Sequence, residues 1–426
     1  MKAPITRRRF VKRAATATAL AAAFGAPAIL RSQSPSERIV IGVMGLGRGL
    51  DHVRSSLTLK NLEVGYVCDV DDSRLARGVK TTSEKQEKTP KAVKDVRQVL
   101  EDKDIDALFI AAPNHWHAPA TILACSAGKH VYVEKPASHN PWEAEMMVQA
   151  ARKNNRKVQM GNQRRSWPAI IEAMEKLRSG AIGRVTSARG WYNNQRGSIG
   201  RGKPAPIPEG LDYSAWQGPA PERPYVDNLV HYNWHWRWHW GGGELANNGP
   251  HALDLIRWGL GVEYPQKVTC NGGRYHFDDD QQTPDTILAT YDFGTSVGIW
   301  DSSSCHPRSN EKLPFVAFYG EGGSLVNFGT DYVIYDIKGK EVARQNGPGG
   351  EAIHIQNFLD AIRNGTKLNA EIEDGQKSVM LCHLGNIAYR TGRTIHFNPK
   401  DRRIKEDAEA ELLWKRDYRP GWEPKV

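Results

Sequence analysis

The stretch Ala111–Pro136, AAPNHWHAPATILACSAGKHVYVEKP, constrains the chain more than any other. It reads as a strand end, a loop, a helix and a second apolar strand that stops on Glu134-Lys135-Pro136. Apolar strands alternating with helices imply a parallel sheet. Ligands of such sheets sit in the crevice beyond the carboxyl ends of the strands. Both polar clusters here, Asn114-His115-Trp116-His117 and Glu134-Lys135, fall at such ends. Pro136 stiffens the chain and biases Lys135 to extended geometry. A lysine held at a strand end beside a cofactor crevice is a candidate catalytic group. The alternative is a surface lysine that follows a strand.

Upstream, the buried-strand run Arg38–Met44 leads into Gly45-Leu46-Gly47-Arg48-Gly49-Leu50. Gly45 and Gly47 permit a tight turn and close backbone approach to a pyrophosphate at a helix N-terminus. The third fingerprint position is Leu50, unless Gly49 serves after a local shift. A second strand, Leu62–Val67, ends at Cys68-Asp69, and Asp69 lies at the spacing of a carboxylate on an adenosine ribose. Such a carboxylate repels a 2′-phosphate and favours NAD over NADP. The competing role for Asp69 is a helix N-cap before Asp71–Val79. Lys80–Lys91 reads as a solvated helix end. A helix at Asp95–Glu101, a strand at Ala107–Ala111, a helix at Trp142–Asn154 and a strand at Lys157–Gly161 complete a Rossmann-like half at 37–160. The last strand ends on Gly161-Asn162-Gln163.

Beyond residue 165 the pattern changes. A helix at Ile170–Ser179 precedes seven alternating apolar runs between Val185 and Tyr335, punctuated by Gly, Asp or Pro, which predict a mostly antiparallel sheet. Residues 196–224 are Pro- and Gly-rich and read as an ordered loop over the site or an assembly arm, because Tyr213 and Trp216 lie in it. In His231–Trp240, HYNWHWRWHW, an extended chain puts the tryptophans, Trp238 among them, on one face and His231, His235 and His239 on the other. Three histidines at that spacing do not reach one ion, so no metal site is expected. The stretch is either a carbohydrate-facing wall or a tryptophan-lined core seam. After Gly241-Gly242-Gly243, helical spacing from Pro250 places His251 and Asp254 on one face, where a carboxylate beside an imidazole suits a general base. The competing reading is a capped helix with a core histidine. Helices at Glu351–Asn364 and Gly375–Tyr389 follow. His354 and Asn357 share a face that the pattern assigns to neither site nor packing. Residues 399–426 read as a charged packing tail.

Thr6–Lys12, TRRRFVK, followed by the apolar run Ala14–Ala28 and an A-x-A-like cleavage site, has the pattern of a twin-arginine export signal at 1–28. No other stretch is expected to span a membrane, and the exported product is expected in the periplasm. The formal charge of +10 includes six positives ahead of the cleavage site; ten less six leaves +4, which gives no nucleic-acid argument. Five scattered cysteines form neither a disulfide framework nor a zinc spacing.

The glycine turn, Asp69, Ala112–His117, Glu134-Lys135-Pro136 and Gly249-x-His251-x-x-Asp254 together resemble the Gfo/Idh/MocA oxidoreductases, relatives of glucose–fructose oxidoreductase and inositol dehydrogenase. The resemblance covers most of residues 37–395. It implies an α/β chain: a Rossmann domain, then an α/β domain at 161–398 with a large open antiparallel sheet, often assembled into dimers or tetramers. It implies a nicotinamide cofactor held by Gly45, Leu46, Gly47, Arg48, Asp69, Pro113, Asn114, His117, Glu134, Lys135 and Gln163. It implies a carbohydrate substrate met by Trp167, His235, Trp238, Asn247 and His251, with Lys135 and His251 as the catalytic pair and Asp254 behind His251. The family commonly has Asp where this chain has Asn247, which cannot trade a proton at neutral pH. Two further activities are open: glycoside cleavage through transient C3 oxidation by a built-in NAD, and non-catalytic sugar or cofactor binding.

Overall fold

The computed structural model describes residues 37–426, so the twin-arginine segment lies outside the described residues. Six strands form one parallel sheet: β1 (Ile39–Met44), β2 (Leu62–Cys68), β3 (Lys91–Val93), β4 (Ala107–Ile110), β5 (His130–Val133) and β6 (Val158–Met160), in the order β3-β2-β1-β4-β5-β6. The order reverses direction at β1, which opens a crevice between the ends of β1 and β4. Register aligns those ends: Met44 lies opposite both Cys68 and Ile110, and Val133 is opposite Ile110 and Met160. Gly45, Asp69, Ala111, Glu134 and Gly161 therefore emerge together.

The glycine turn is built as its spacing predicts. Gly45 has φ +85°, and a Cβ there would lie 2.5 Å from the Ala112 nitrogen. Gly49, not position 50, is the packing glycine of the fingerprint. It opens the helix Gly49–Ser56, where a Cβ would meet Val43 at 3.0 Å, while Leu50 fills the core. β3 starts at Lys91, the end of the expected solvated connection, and was not anticipated, because three mostly exposed residues carry no periodicity.

The second sheet has ten strands: β7 (Val185–Asn193), β8 (Lys267–Gly273), β9 (Thr286–Asp292), β10 (Val297–Ser303), β11 (Val316–Gly320), β12 (Gly323–Asn327), β13 (Asp331–Asp336), β14 (Glu341–Asn346), β15 (Ile395–Asn398) and β16 (Arg403–Ile404). Their order is β14-β13-β12-β11-β7-β10-β9-β8-β15-β16, antiparallel except for β7 beside β10. The helices Pro168–Arg178, Gly249–Leu260 and Ile372–Thr391 cover one face and bury Trp300, Phe318 and Tyr291 beneath them. β14 is exposed at every position, so it has no alternation to detect. The last long helix begins at Ile372 rather than Gly375. Gly375 sits inside it because a Cβ there would press on Met160 at 3.0–3.4 Å; the glycine marks close packing, not a start.

His231–Trp240 is not extended. Asn233–Trp236 forms a 3₁₀ turn, tied by the Trp234 indole N–H to the His231 carbonyl at 2.9 Å. Trp234 and Trp240 join a cluster with Tyr213, Trp216 and Leu229, and this cluster anchors the 196–224 loop. Among the described residues no helix is long and apolar enough to cross a membrane. All five cysteines are buried and unpaired.

Candidate active site

A cavity of about 800 Å³ lies at the carboxyl ends of β1, β2, β4 and β5. Of the residues expected to hold the cofactor, Gly45, Gly47, Arg48, Asp69, Pro113, Asn114, His117, Glu134 and Lys135 line it. Leu46 and Gln163 do not. The Leu46 side chain is fully buried under Gly78, and its amide donates to Asp69 Oδ2 at 2.6 Å. Gln163 belongs to the 3₁₀ turn Gln163–Ser166 beyond β6. Asp69 is not a helix cap. Asp71 caps the following helix by accepting from the Arg74 amide, while Asp69 Oδ1 accepts from the Asp71 amide. Burial pushes the Asp69 carboxyl up despite these two bonds. Arg74 also lines the cavity, its guanidinium against Gly47, where a Cβ would lie 2.7 Å from Nη1.

Asn114 starts a helix directly, without the expected loop, so His115, Trp116 and His117 fall in its first turns. His117 is a strut. Its Nδ1 lies 2.6 Å from the Pro136 carbonyl and its Nε2 2.7 Å from the Ala112 carbonyl, which locks the turn after Lys135 to the end of β4. The Lys135–Pro136 peptide is cis. His115 and the Trp116 indole both meet the Trp216 carbonyl, at 2.9 and 3.1 Å, and hold the 196–224 loop down over the crevice. Gly218 makes that approach possible, since a Cβ there would sit 2.1 Å from the Trp116 ring.

Lys135 Nζ donates to the Asn247 carbonyl at 2.8 Å and to Asn247 Oδ1 at 3.3 Å. Burial lowers its pKa, with Glu134 opposing and Arg48 adding to the shift. The Lys135 amide donates to Glu134 Oε2 at 3.1 Å. Glu134 is fixed from behind by Arg48 Nε (3.1 Å) and His52 Nε2 (3.2 Å). His52 is fully buried. Its Nδ1 lies 2.8 Å from Glu351, which also takes Arg48 Nη2 at 2.7 Å. Wedged between two carboxylates, His52 is pushed up to about 9, although burial alone would lower it. These groups are close enough to hold a metal ion, but two cationic side chains already neutralise the two carboxylates. Arg48 thus touches the cavity while its guanidinium serves Glu134 and Glu351.

His251 sits in the first turn of Gly249–Leu260, with Nδ1 sealed from solvent and unpaired. Burial, then the charges of Lys135 and Arg164, hold its pKa well below the ordinary histidine range, so it is neutral near pH 7. Asp254 does not stand behind it. Both its oxygens turn to Arg165 (2.7 and 2.7 Å), and Oδ1 also accepts from Ser378 at 2.6 Å. The i, i+3 spacing was real, but a buried carboxylate goes to the strongest available donor, a bidentate guanidinium. Asp254 therefore ties helix to helix.

Of the residues expected at the substrate, His235 and Asn247 line the cavity; Trp167, Trp238 and His251 do not, His251 being drawn back into the first turn of its helix. The Trp167 indole donates to the Gly350 carbonyl at 2.9 Å, and Trp238 packs near Tyr389 under Arg390. His231, His235 and His239 each take a different partner: Asp71, the Tyr232 carbonyl and the Pro221 carbonyl. Burial holds His235 down to about 3. His354 is a packing residue, between Ser166 Oγ and the Met160 carbonyl. Asn357 likewise bonds the nearby backbone of Lys367 and Asn369. Sequence reasoning missed His52, Arg74, Arg164, Glu351 and the tail residues Arg419 and Trp422, all brought in by tertiary contact. Arg164 is held over Trp167 (4.7 Å) and Phe315 (3.9 Å), with no carboxylate partner among the described residues.

The crevice fits a dinucleotide. Its glycine turn leaves no room for a Cβ at Gly45, against the Ala111–Ala112 backbone, or at Gly47, against Arg74, and a buried carboxylate stands at the end of β2. Residues 39–162 match the family model described as oxidoreductase family, NAD-binding Rossmann fold, and residues 182–424 match that described as oxidoreductase family, C-terminal alpha/beta domain. The chain belongs to the Gfo/Idh/MocA oxidoreductase family, and its first sheet is an NAD-binding Rossmann domain.

Among curated relatives, levoglucosan dehydrogenase of Pseudarthrobacter phenanthrenivorans is 39% identical over 98 residues, 23% of this chain and 25% of that protein. Inositol 2-dehydrogenase of Salmonella typhimurium is 30% identical over 156 residues, 36% of this chain and 45% of that protein. A glycosyl hydrolase family 109 protein of Shewanella sp. is 26% identical over 161 residues, 37% of this chain and 35% of that protein. The matches thus span less than half of each relative. Aldose-aldose oxidoreductase from Caulobacter crescentus, solved with glycerol, shares the fold at TM-score 0.67 and 19% identity, covering 84% of this chain and all of that one (100%).

Proposed function

We propose that this chain is an NAD-dependent oxidoreductase acting on a secondary hydroxyl of a sugar or glycoside, with Lys135 and His251 assisting. The observation that carries the reading is the Lys135 ammonium, desolvated, aimed by Asn247 and lining the dinucleotide crevice. Gly45, Gly47 and Asp69 would hold the nucleotide, and bound nicotinamide would accept a hydride from the carbinol carbon. Lys135 donates a hydrogen bond to the reacting oxygen and favours its alkoxide character in a water-poor site. His251, kept neutral by burial and two nearby cations, is the base this reading assigns to the hydroxyl proton. Asn247 orients Lys135 and cannot itself relay a proton. Asp254 has no step.

The twin-arginine pattern supports export of the folded holoenzyme to the periplasm. The uncovered face of the ten-stranded sheet, where Leu288 and Tyr319 are exposed, is the surface on which dimers or tetramers would form.

A second reading is supported by the likeness to a glycosyl hydrolase family 109 protein. The same residues would assist oxidation of a glycoside at C3, elimination of the aglycone, addition of water to the unsaturated product and its reduction, with no net redox change. Protein purified from cells is denatured and its released nucleotide quantified, while native protein meets a panel of glycosides and free aldoses. Lasting reduction of resident NAD by a sugar is the expected result. Aglycone release without accumulating NADH moves the assignment to the glycosidase. Neither response, with sugar binding retained, refutes catalysis.

A further inference from the structure

The last residues of the chain do more than pack. The segment is strapped across the Rossmann helices. The Trp414 carbonyl accepts from the Trp142 amide at 3.0 Å, and Arg416 reaches Glu143 and the His115 carbonyl at 2.9 and 2.8 Å. Tyr418 donates to the same glutamate at 2.8 Å. It then crosses to the 196–224 loop: Arg419 donates its amide to the Pro219 carbonyl and its guanidinium to Ser214 Oγ at 3.0 Å, and it pairs with Glu222 at 2.8 Å. Trp422 lies edge-on to Trp116 at 5.1 Å and under Arg97 at 5.6 Å. Arg419 and Trp422 both line the dinucleotide cavity, alongside Asp69 after β2 and Val96 and Arg97 at the start of the helix that follows β3.

We infer that the carboxyl-terminal segment is the outer wall of the adenine half of the nucleotide site, with Trp422 and Arg419 retaining the nucleotide against release; this rests on the crevice being the NAD site. The end of the crevice beside Asp69 is the ribose and adenine end by the logic of the fold. An indole in the wall at that end offers apolar surface to a purine. Arg419 pins the tail to the loop that His115 and Trp116 already hold down. Tail and loop thus close the crevice from two sides. A crevice closed in this way has to open before nucleotide leaves, so the segment acts on the dissociation rate.

The test uses holoenzyme loaded with radiolabelled NAD and chased with unlabelled NAD. Trp422→Ala and Arg419→Ala are expected to release label roughly tenfold faster or more, with circular dichroism unchanged. Trp422→Phe is expected to retain most of the hold. Unchanged release in both alanine variants overturns the inference. Should a variant fail to fold, hydrogen exchange of the wild-type protein decides: NAD is expected to slow exchange of amides 416–422, and unaltered exchange with NAD demonstrably bound overturns the inference. Wild-type protein that neither carries nor binds NAD refutes the nucleotide-site reading itself, which is a different failure.

Discussion

Asp254→Asn separates a structural carboxylate from a catalytic one. The substitution is isosteric and keeps an acceptor toward Ser378, so what it removes is charge. Asp254 is 2% exposed and lies 2.7 Å from two nitrogens of Arg165, itself 7% exposed, with Arg257 4.0 Å away. Both arginines would then share Asp374 alone, at 2.7 and 2.6 Å. Breaking a buried pair from one side costs about 3–5 kcal/mol, and the surviving Asp374 places this case near about 3 kcal/mol. The expected fall in Tm is roughly 4 °C. The acid limb of stability should also flatten. Burial alone would raise the folded-state pKa of Asp254, but Arg165, Arg257 and Ser378 depress it, so its contribution is present above the unfolded carboxylate pKa and is lost as pH falls through the folded one. Thermal unfolding from pH 3 to 8 reads both effects. Turnover at a temperature where the variant is folded is expected to stay within about threefold of wild type, with the same pH profile. An unchanged Tm together with a large loss of turnover, or a displaced pH profile, would refute the structural assignment and return Asp254 to His251.

Lys135→Met is expected to lower turnover about 10²–10⁴-fold while the purified protein keeps its nucleotide content, so a fully active variant would sink the assignment. Asn247→Asp places an anionic oxygen about 3.3 Å from Lys135 Nζ and should raise the lysine pKa, read as an upward displacement of the alkaline limb of kcat. His52, raised to about 9 in the fold against an unfolded value of about 6.5, stabilises fully below the unfolded value, and this is lost as pH rises through about 9. The difference is on the order of 3 kcal/mol. Urea unfolding at pH 6 and 9.5 should show it, and His52→Asn with the same pH dependence as wild type would contradict the coupling to Glu134 and Glu351.

The chain order by itself determined the architecture and the carboxyl-end location of the site. Apolar strands alternating with helices leave few ways to bury both faces of a parallel sheet, and Gly45 with Gly47 admits a turn that other residues would block. Lys135 was legible because a proline follows it at a strand end. Short or exposed strands such as β3 and β14 were not, since they bury too little to impose a period. Only the tertiary structure decided what each polar side chain faces. Asp254 has the spacing to serve His251, yet Arg165, far away in sequence, wins it because two charge-assisted bonds in a buried setting outweigh one to a neutral ring. The same holds for Trp167 and Trp238, whose indoles find partners away from the crevice. It holds for the tail, which reads as a packing segment but whose sequence does not say what it packs on, and long-range contacts carry Arg419 and Trp422 to the cavity wall. Local pattern reports the backbone path, whereas side-chain partnership is settled by whichever donor, charge or ring the completed fold brings within reach.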